Sequence, residues 1–105
     1  MVTEVFWTDF AKSELKNIFN YYKLRVSSKV AHNLIEGIVN KANSLDFQFK
    51  IGQKEDSLLE RKEEFRYLIY KSYKIINWFN QDKSRVEITD VFDVRQNPLK
   101  LKRQK

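Results

Sequence analysis

Apolar residues recur along this chain with two different periods, and the changes of period divide it into elements. Val2-Thr3-Glu4-Val5-Phe6-Trp7 is short and rich in β-branched and aromatic residues, which predicts a strand. Thr8 or Asp9 then offers a side-chain oxygen to cap a helix. Ala11, Leu15, Ile18, Phe19 and Tyr22 follow at spacings of three and four, so one apolar stripe runs along a helix over residues 9 to 25, with Lys12, Lys16, Asn20 and Lys23 opposite. Ser27 or Ser28 can cap a second helix, in which Ala31, Leu34, Ile35, Ile38, Ala42 and Leu45 repeat the stripe. A link this short makes the two helices pack antiparallel.

Residues 46 to 56 break the pattern with Asp46, Gly52 and mixed charge, and read as an exposed connection long enough to cross back over a sheet. From Phe65 the pattern is strand-like three times, over residues 65 to 70, 73 to 79 and 85 to 92, with separators short enough for an antiparallel meander. The first two of these strands carry apolar residues on both alternations, Phe65, Tyr67 and Ile69 with Leu68 and Tyr70, then Ile75 with Ile76 and Trp78, so both sheet faces are at least partly covered. The predicted fold class is α+β. Its order is strand-helix-helix-strand-strand-strand, with the first strand joining an antiparallel-rich sheet and the helical hairpin packed on one face.

A chain of 105 residues, 42% hydrophobic, fits one domain with one core. We assign that domain to residues 1–97 and a basic tail to residues 98–105. Fifteen aromatics, 8 Phe, 5 Tyr and 2 Trp, bury enough area to dispense with disulfides, and there is no cysteine to form one. The opening residues lack the charged and apolar regions of a signal peptide, and no apolar run suits a membrane span, so the expectation is a cytoplasmic protein with no membrane partner. Net charge is +6, and its placement matters more than its size. The tail holds Lys100, Lys102, Arg103 and Lys105 with no acid, whereas residues 50 to 66 hold five bases and five acids. Such a tail can meet a phosphate backbone or an acidic protein surface, or remain a solvated end.

Familiar catalytic patterns are mostly missing. With no cysteine and one histidine, His32, no ordinary zinc site can be built, and neither a metal nor a cofactor is expected. Gly37 and Gly52 belong to no phosphate-cradling loop. Arg66 stands out because it interrupts an apolar and aromatic strand, where a guanidinium needs compensation. Either Asp90 or Asp93 on the last strand is its partner, or Arg66 opens onto a concave surface that accepts an anion. Arg95, just past that strand, either shares the surface of Arg66 or is solvated beside a turn formed by Asp93 and Asn97.

The run Phe65-Arg66-Tyr67-Leu68-Ile69-Tyr70-Lys71-Ser72-Tyr73-Lys74-Ile75-Ile76-Asn77-Trp78, then Val91-Phe92-Asp93-Val94-Arg95-Gln96-Asn97-Pro98, with the opening Val5-Phe6-Trp7-Thr8, resembles the RelE/ParE superfamily of toxins from type II toxin-antitoxin systems. The resemblance implies a cognate antitoxin as partner, in a toxin-antitoxin hetero-oligomer, and two alternative targets. Relatives of RelE cleave messenger RNA on the ribosome, while relatives of ParE poison DNA gyrase without known catalysis. Arg66 and Arg95 fall on basic positions that support phosphodiester cleavage in the nuclease branch. The lysines that this branch places before that arginine are missing from Ser57-Leu58-Leu59-Glu60, and no Tyr or His follows Phe92. Glu60, Glu63 or Glu64 would have to serve as the base of a metal-independent endoribonuclease, or else remain a solvated charged run. The ParE-like reading is therefore favoured, with Arg66, Arg95, Lys100, Lys102 and Arg103 as target or anion contacts. A homologue that only binds its antitoxin is the third reading.

Overall fold

The computed structural model describes residues 3–45, 53–54 and 65–95. Glu60, Glu63 and Glu64, the residues from Gln96 onward and most of the connection over 46–56 lie outside these. The described elements run β1 (Glu4–Trp7), α1 (Asp9–Arg25), α2 (Ser28–Asn43), β2 (Gln53–Lys54), β3 (Arg66–Tyr70), β4 (Tyr73–Asn80) and β5 (Arg85–Asp93). They form one sheet in the order β1-β5-β4-β3-β2, in which β1 lies parallel to β5 and every other pair is antiparallel. The α+β architecture with a helical hairpin is the one the periodicities predict. Within the segment read as a connection, Gln53 and Lys54 pair with Tyr67 and Arg66 as a two-residue edge strand.

Both helices start where the sequence offers an oxygen. The Thr8 hydroxyl accepts from the Ala11 amide at 3.2 Å, and the Ser27 hydroxyl accepts from the Val30 amide at 3.1 Å. Thr8 has a second task, because its hydroxyl and its amide both donate to the Ile88 carbonyl, at 3.0 and 3.1 Å. The start of α1 is thereby tied to β5. At the other end of α1 the amides of Val26 and Ser27 both donate to the Tyr22 carbonyl, and α2 begins one residue later.

The helices cover one face of the sheet. There Ala11, Leu34, Ile38 and Ala42 meet Leu68, Ile75, Val86, Ile88 and Val91 in the main core. The other face carries a smaller cluster of Phe65, Ile76 and Phe92 with Tyr67 and Trp78 against it, so both faces are covered, as the double alternation implies. A bulge reconciles β5 with these two faces. Ile76 stands opposite Asp90 and Asn77 opposite Ile88, which leaves Thr89 as the extra residue. Because of it, Val86 and Ile88 before the bulge and Val91 and Asp93 after it all face the helices, although their numbers differ in parity. Asn77, buried at the irregularity, donates its amide to the Ile75 carbonyl at 3.2 Å.

Gly37 sits mid-helix in α2, where glycine costs roughly 1 kcal/mol relative to alanine. Its hydrogen is required, because a methyl group there would run into the ring and hydroxyl of Tyr70 on β3. The expected outcome of Gly37→Ala is therefore a net loss of about 1–2 kcal/mol despite the better helix former, since overpacking by a rigid ring outweighs the propensity gain. In the Tyr70→Leu background the same change becomes neutral or stabilising. Denaturant unfolding of the four proteins in this cycle checks both statements.

Candidate functional site

A cleft of about 370 Å³ opens between α1 and the end of β5, lined on the helix side by Glu14, Asn17, Tyr21 and Tyr22 and on the sheet side by Tyr73, Asp93 and Arg95. Each wall follows from the fold. Tyr22 is the last residue of the α1 apolar stripe, and Tyr73 opens β4 directly opposite Asp93. The bulge at Thr89 turns Asp93 towards the helices. A two-residue turn, Lys71-Ser72, brings Tyr73 back from β3, with Lys71 in the left-handed region at φ 54°.

Hydrogen bonds fix the polar groups to one another. Arg95 donates from Nε to Asp93 at 3.0 Å and from Nη2 at 2.6 Å, and its backbone amide adds a third bond to the same carboxylate at 2.9 Å. Ser72 also hydrogen-bonds that carboxylate. The Asp93 side chain is 9% exposed and that of Arg95 69%, so a sheltered acid holds an outward guanidinium. Tyr73 donates its hydroxyl to Tyr22 at 3.5 Å, and Tyr22 in turn hydrogen-bonds Arg95. The Val94 amide closes the corner by donating to the Ser72 carbonyl at 2.8 Å.

These contacts shift every perturbed group away from neutrality. Arg95 holds the Asp93 carboxyl below its ordinary 3.8, by side-chain hydrogen bonding first, against the opposing effect of burial. Burial, and then the hydrogen bond with Tyr22, push the Tyr73 hydroxyl well above its ordinary 10.0. The Arg95 guanidinium is driven further up, principally by its bond to Asp93. An un-ionised tyrosine of this kind is a poor base and a weak acid. What the cleft presents is a fixed positive charge, two linked phenols and an exposed third, Tyr21.

The two arginines that the sequence singles out are not neighbours. Arg66 pairs across the strands with Asn77, whereas Arg95 follows the Asp93 that faces Tyr73, four residues away along β4, or about 13 Å. Arg66 is half-buried at the β2 side of the sheet. Of the two aspartates considered as its partner, Asp93 is engaged by Arg95, and Asp90 shares a face with Ile76 while Arg66 shares the opposite face with Asn77. Arg95 is thus anchored to the acid two residues before it rather than merely solvated. His32 is exposed on α2, and among the described residues no group of His, Cys, Asp or Glu is arranged to hold a metal. Among them, too, no helix is long and apolar enough to cross a membrane. The sequence reading missed Tyr22 and Tyr73 as site residues because each fills a place in an apolar pattern. Their signal was the hydroxyl, which a buried tyrosine must satisfy.

Residues 5–98 match the family model described as the ParE toxin of the type II toxin-antitoxin system parDE. Among solved structures, a chain of the chromosomal ParDE toxin-antitoxin system from P. aeruginosa superposes with a TM-score of 0.73 at 16% identity, covering 88% of this chain and 96% of that one. At that identity the likeness speaks for the fold. No curated protein sequence matches this chain.

The Asp93–Arg95 pair generates a pH prediction. A carboxyl whose folded pKa is depressed stabilises the fold above its unfolded value, near 3.8, and that contribution is lost as pH falls through the lower folded value. In Arg95→Ala the Asp93 pKa rises again, so acid unfolding begins at a higher pH than in the parent. Thermal melts recorded from pH 2 to 7 test this; superimposable acid limbs in parent and variant would contradict it.

Proposed function

This chain belongs to the ParE toxin family of type II toxin-antitoxin systems, and from that premise we propose that it acts by inhibiting DNA gyrase, without catalysis of its own, and is neutralised in the cytoplasm by a cognate antitoxin. The domain of residues 1–97 would carry the target surface, with Arg95 and the cleft at its centre. Lys100, Lys102 and Arg103 of the basic tail would add attraction to a gyrase-DNA complex, where clustered positive charge raises encounter rates. Growth inhibition and plasmid stabilisation are the physiological outcomes this reading implies. The antitoxin would form a hetero-oligomer with the chain.

The observation that carries this reading is the chemistry around Arg95. Cleavage of RNA requires a base for the attacking 2′-hydroxyl, donors for the charged transition state and an acid for the leaving oxygen. Arg95 meets the middle requirement, but Arg66 stands about 13 Å along the sheet from its end and cannot share that task. Asp93 is committed to Arg95 and Tyr73 is shifted away from neutral pH. A ribosome-dependent endoribonuclease has one observation in its favour, that phenol groups from α1 and β4 stand beside Arg95 although none follows it in the chain.

The test is a paired assay of the purified chain, once with gyrase and relaxed plasmid and once with programmed ribosomes. Blocked supercoiling or trapped cleavage complexes, with intact message, is the expected result. Arg95→Ala should raise the inhibitory concentration roughly tenfold or more, as loss of a central charged contact does. Message cut on the ribosome while gyrase is unaffected would replace this reading with the nuclease one. Inactivity in both assays, with antitoxin still bound, would mark the chain as a binding homologue.

A further inference from the structure

The turn that joins α1 to α2 combines two features that a solvated helical hairpin does not need. It exposes large apolar side chains within ten residues: Leu24 at 82%, Val26 at 60%, Tyr21 at 50% and Val30 at 42%. Single exposed apolar residues are ordinary, but four spanning one turn form a patch. The same stretch is free of acids. Between Glu14 and Glu36 the sequence holds Lys16, Lys23, Arg25 and Lys29 and no Asp or Glu.

The charge is also placed against the local electrostatics of the fold. The N-terminus of α2 is a positive helix end, where acidic side chains are favourable, yet its first turn contains Lys29 and no acid. Nothing in the first turn of α2 offsets that cation. On the α1 side the Arg25 guanidinium lies 4.0 Å above the Tyr21 ring, which stiffens both side chains in an outward-facing arrangement. An incoming carboxylate would find a positive helix end and two basic side chains, and apolar side chains beside it would find Leu24 and Val26.

We propose that the α1–α2 turn is a docking surface for an acidic, amphipathic segment of a partner protein, bound through Leu24 and Val26 as apolar anchors and through Arg25 and Lys29 as charge contacts. A second copy of this chain is disfavoured as occupant, since its own turn carries the same positive charge. Tyr21 belongs both to this patch and to the mouth of the cleft, so an occupied turn extends over the cleft entrance. The inference goes beyond gyrase inhibition and does not depend on it.

The probe is a fluorescent helical peptide of about 18 residues, five turns, with Leu on one face and Glu on the rest, compared with the same peptide carrying Lys for Glu. Anisotropy titrations use the full chain and three variants: Leu24→Ser with Val26→Ser, Arg25→Glu with Lys29→Glu, and the exposed-turn control Lys83→Glu. The Glu peptide should bind roughly tenfold or more tightly than the Lys peptide, and each tip variant should weaken it roughly tenfold or more while Lys83→Glu does not. Melting temperatures confirm that the variants, all at exposed positions, remain folded. Equal binding by parent and tip variants overturns the proposal. So does loss of duplex DNA or phosphatidylglycerol vesicle binding in the tip variants with peptide binding intact, because the surface would then serve nucleic acid or lipid.

Discussion

One extra residue in β5 decides what this sheet can present. With Thr89 inserted, the strand changes phase midway, and residues of both parities reach the helix side: Val86 and Ile88 on one side of the bulge, Val91 and Asp93 on the other. Strict alternation would send Asp93 to the face of Phe92 and bring Asp90 under the helices. The core would then lose Val91, and Arg95 would lose the carboxylate that anchors it. The main core, the ion pair and the walls of the cleft therefore share one geometric cause, and the cleft is as rigid as the β4–β5 ladder that bears it.

The same geometry explains a functional asymmetry. A phosphodiester-cutting site brings several groups of tuned acidity to one phosphate, whereas this cleft has its perturbed groups driven out of the neutral range and into contact with each other. Such an arrangement holds shape and charge well and transfers protons badly. It suits recognition by contact, in which the worth of Arg95 lies in a fixed direction rather than in its reactivity. The exposed turn between the helices extends that logic to a second surface, built from apolar side chains and uncompensated positive charge.

Local patterns in the sequence carried the helices, their caps and the three consecutive strands to within a residue or so. Thr8 and Ser27 cap where an oxygen precedes an apolar stripe, and the stripes of α1 and α2 are the ones that reach the core. Partner choice among strands was less legible. Nothing local to Val5 specifies Val86 as its parallel neighbour, and Gln53-Lys54 is too short to show any alternation. The bulge was hidden because β5 is apolar on both faces near it, which makes a phase change invisible in hydrophobicity alone. For the site, Arg95 was legible as an isolated base after a strand. Its separation from Arg66 was not, since it depends on the register of β3 against β4, and Tyr22 and Tyr73 passed as core residues because their rings are.

The parallel pairing of β1 with β5 sets a clock on the appearance of the native protein. The strand made first finds its hydrogen-bonding partner 81 positions later, as the Val5 to Val86 register shows, and Thr8 can tie α1 to the sheet only when Ile88 is present. During synthesis the helical hairpin can form early, but its apolar stripes have no sheet to rest on until β5 leaves the ribosome. Interrupted translation thus yields unfolded chains rather than partly active ones. Harm to the cell that makes this protein begins only with nearly finished copies, and the interval before that belongs to whatever is already waiting to bind the hairpin.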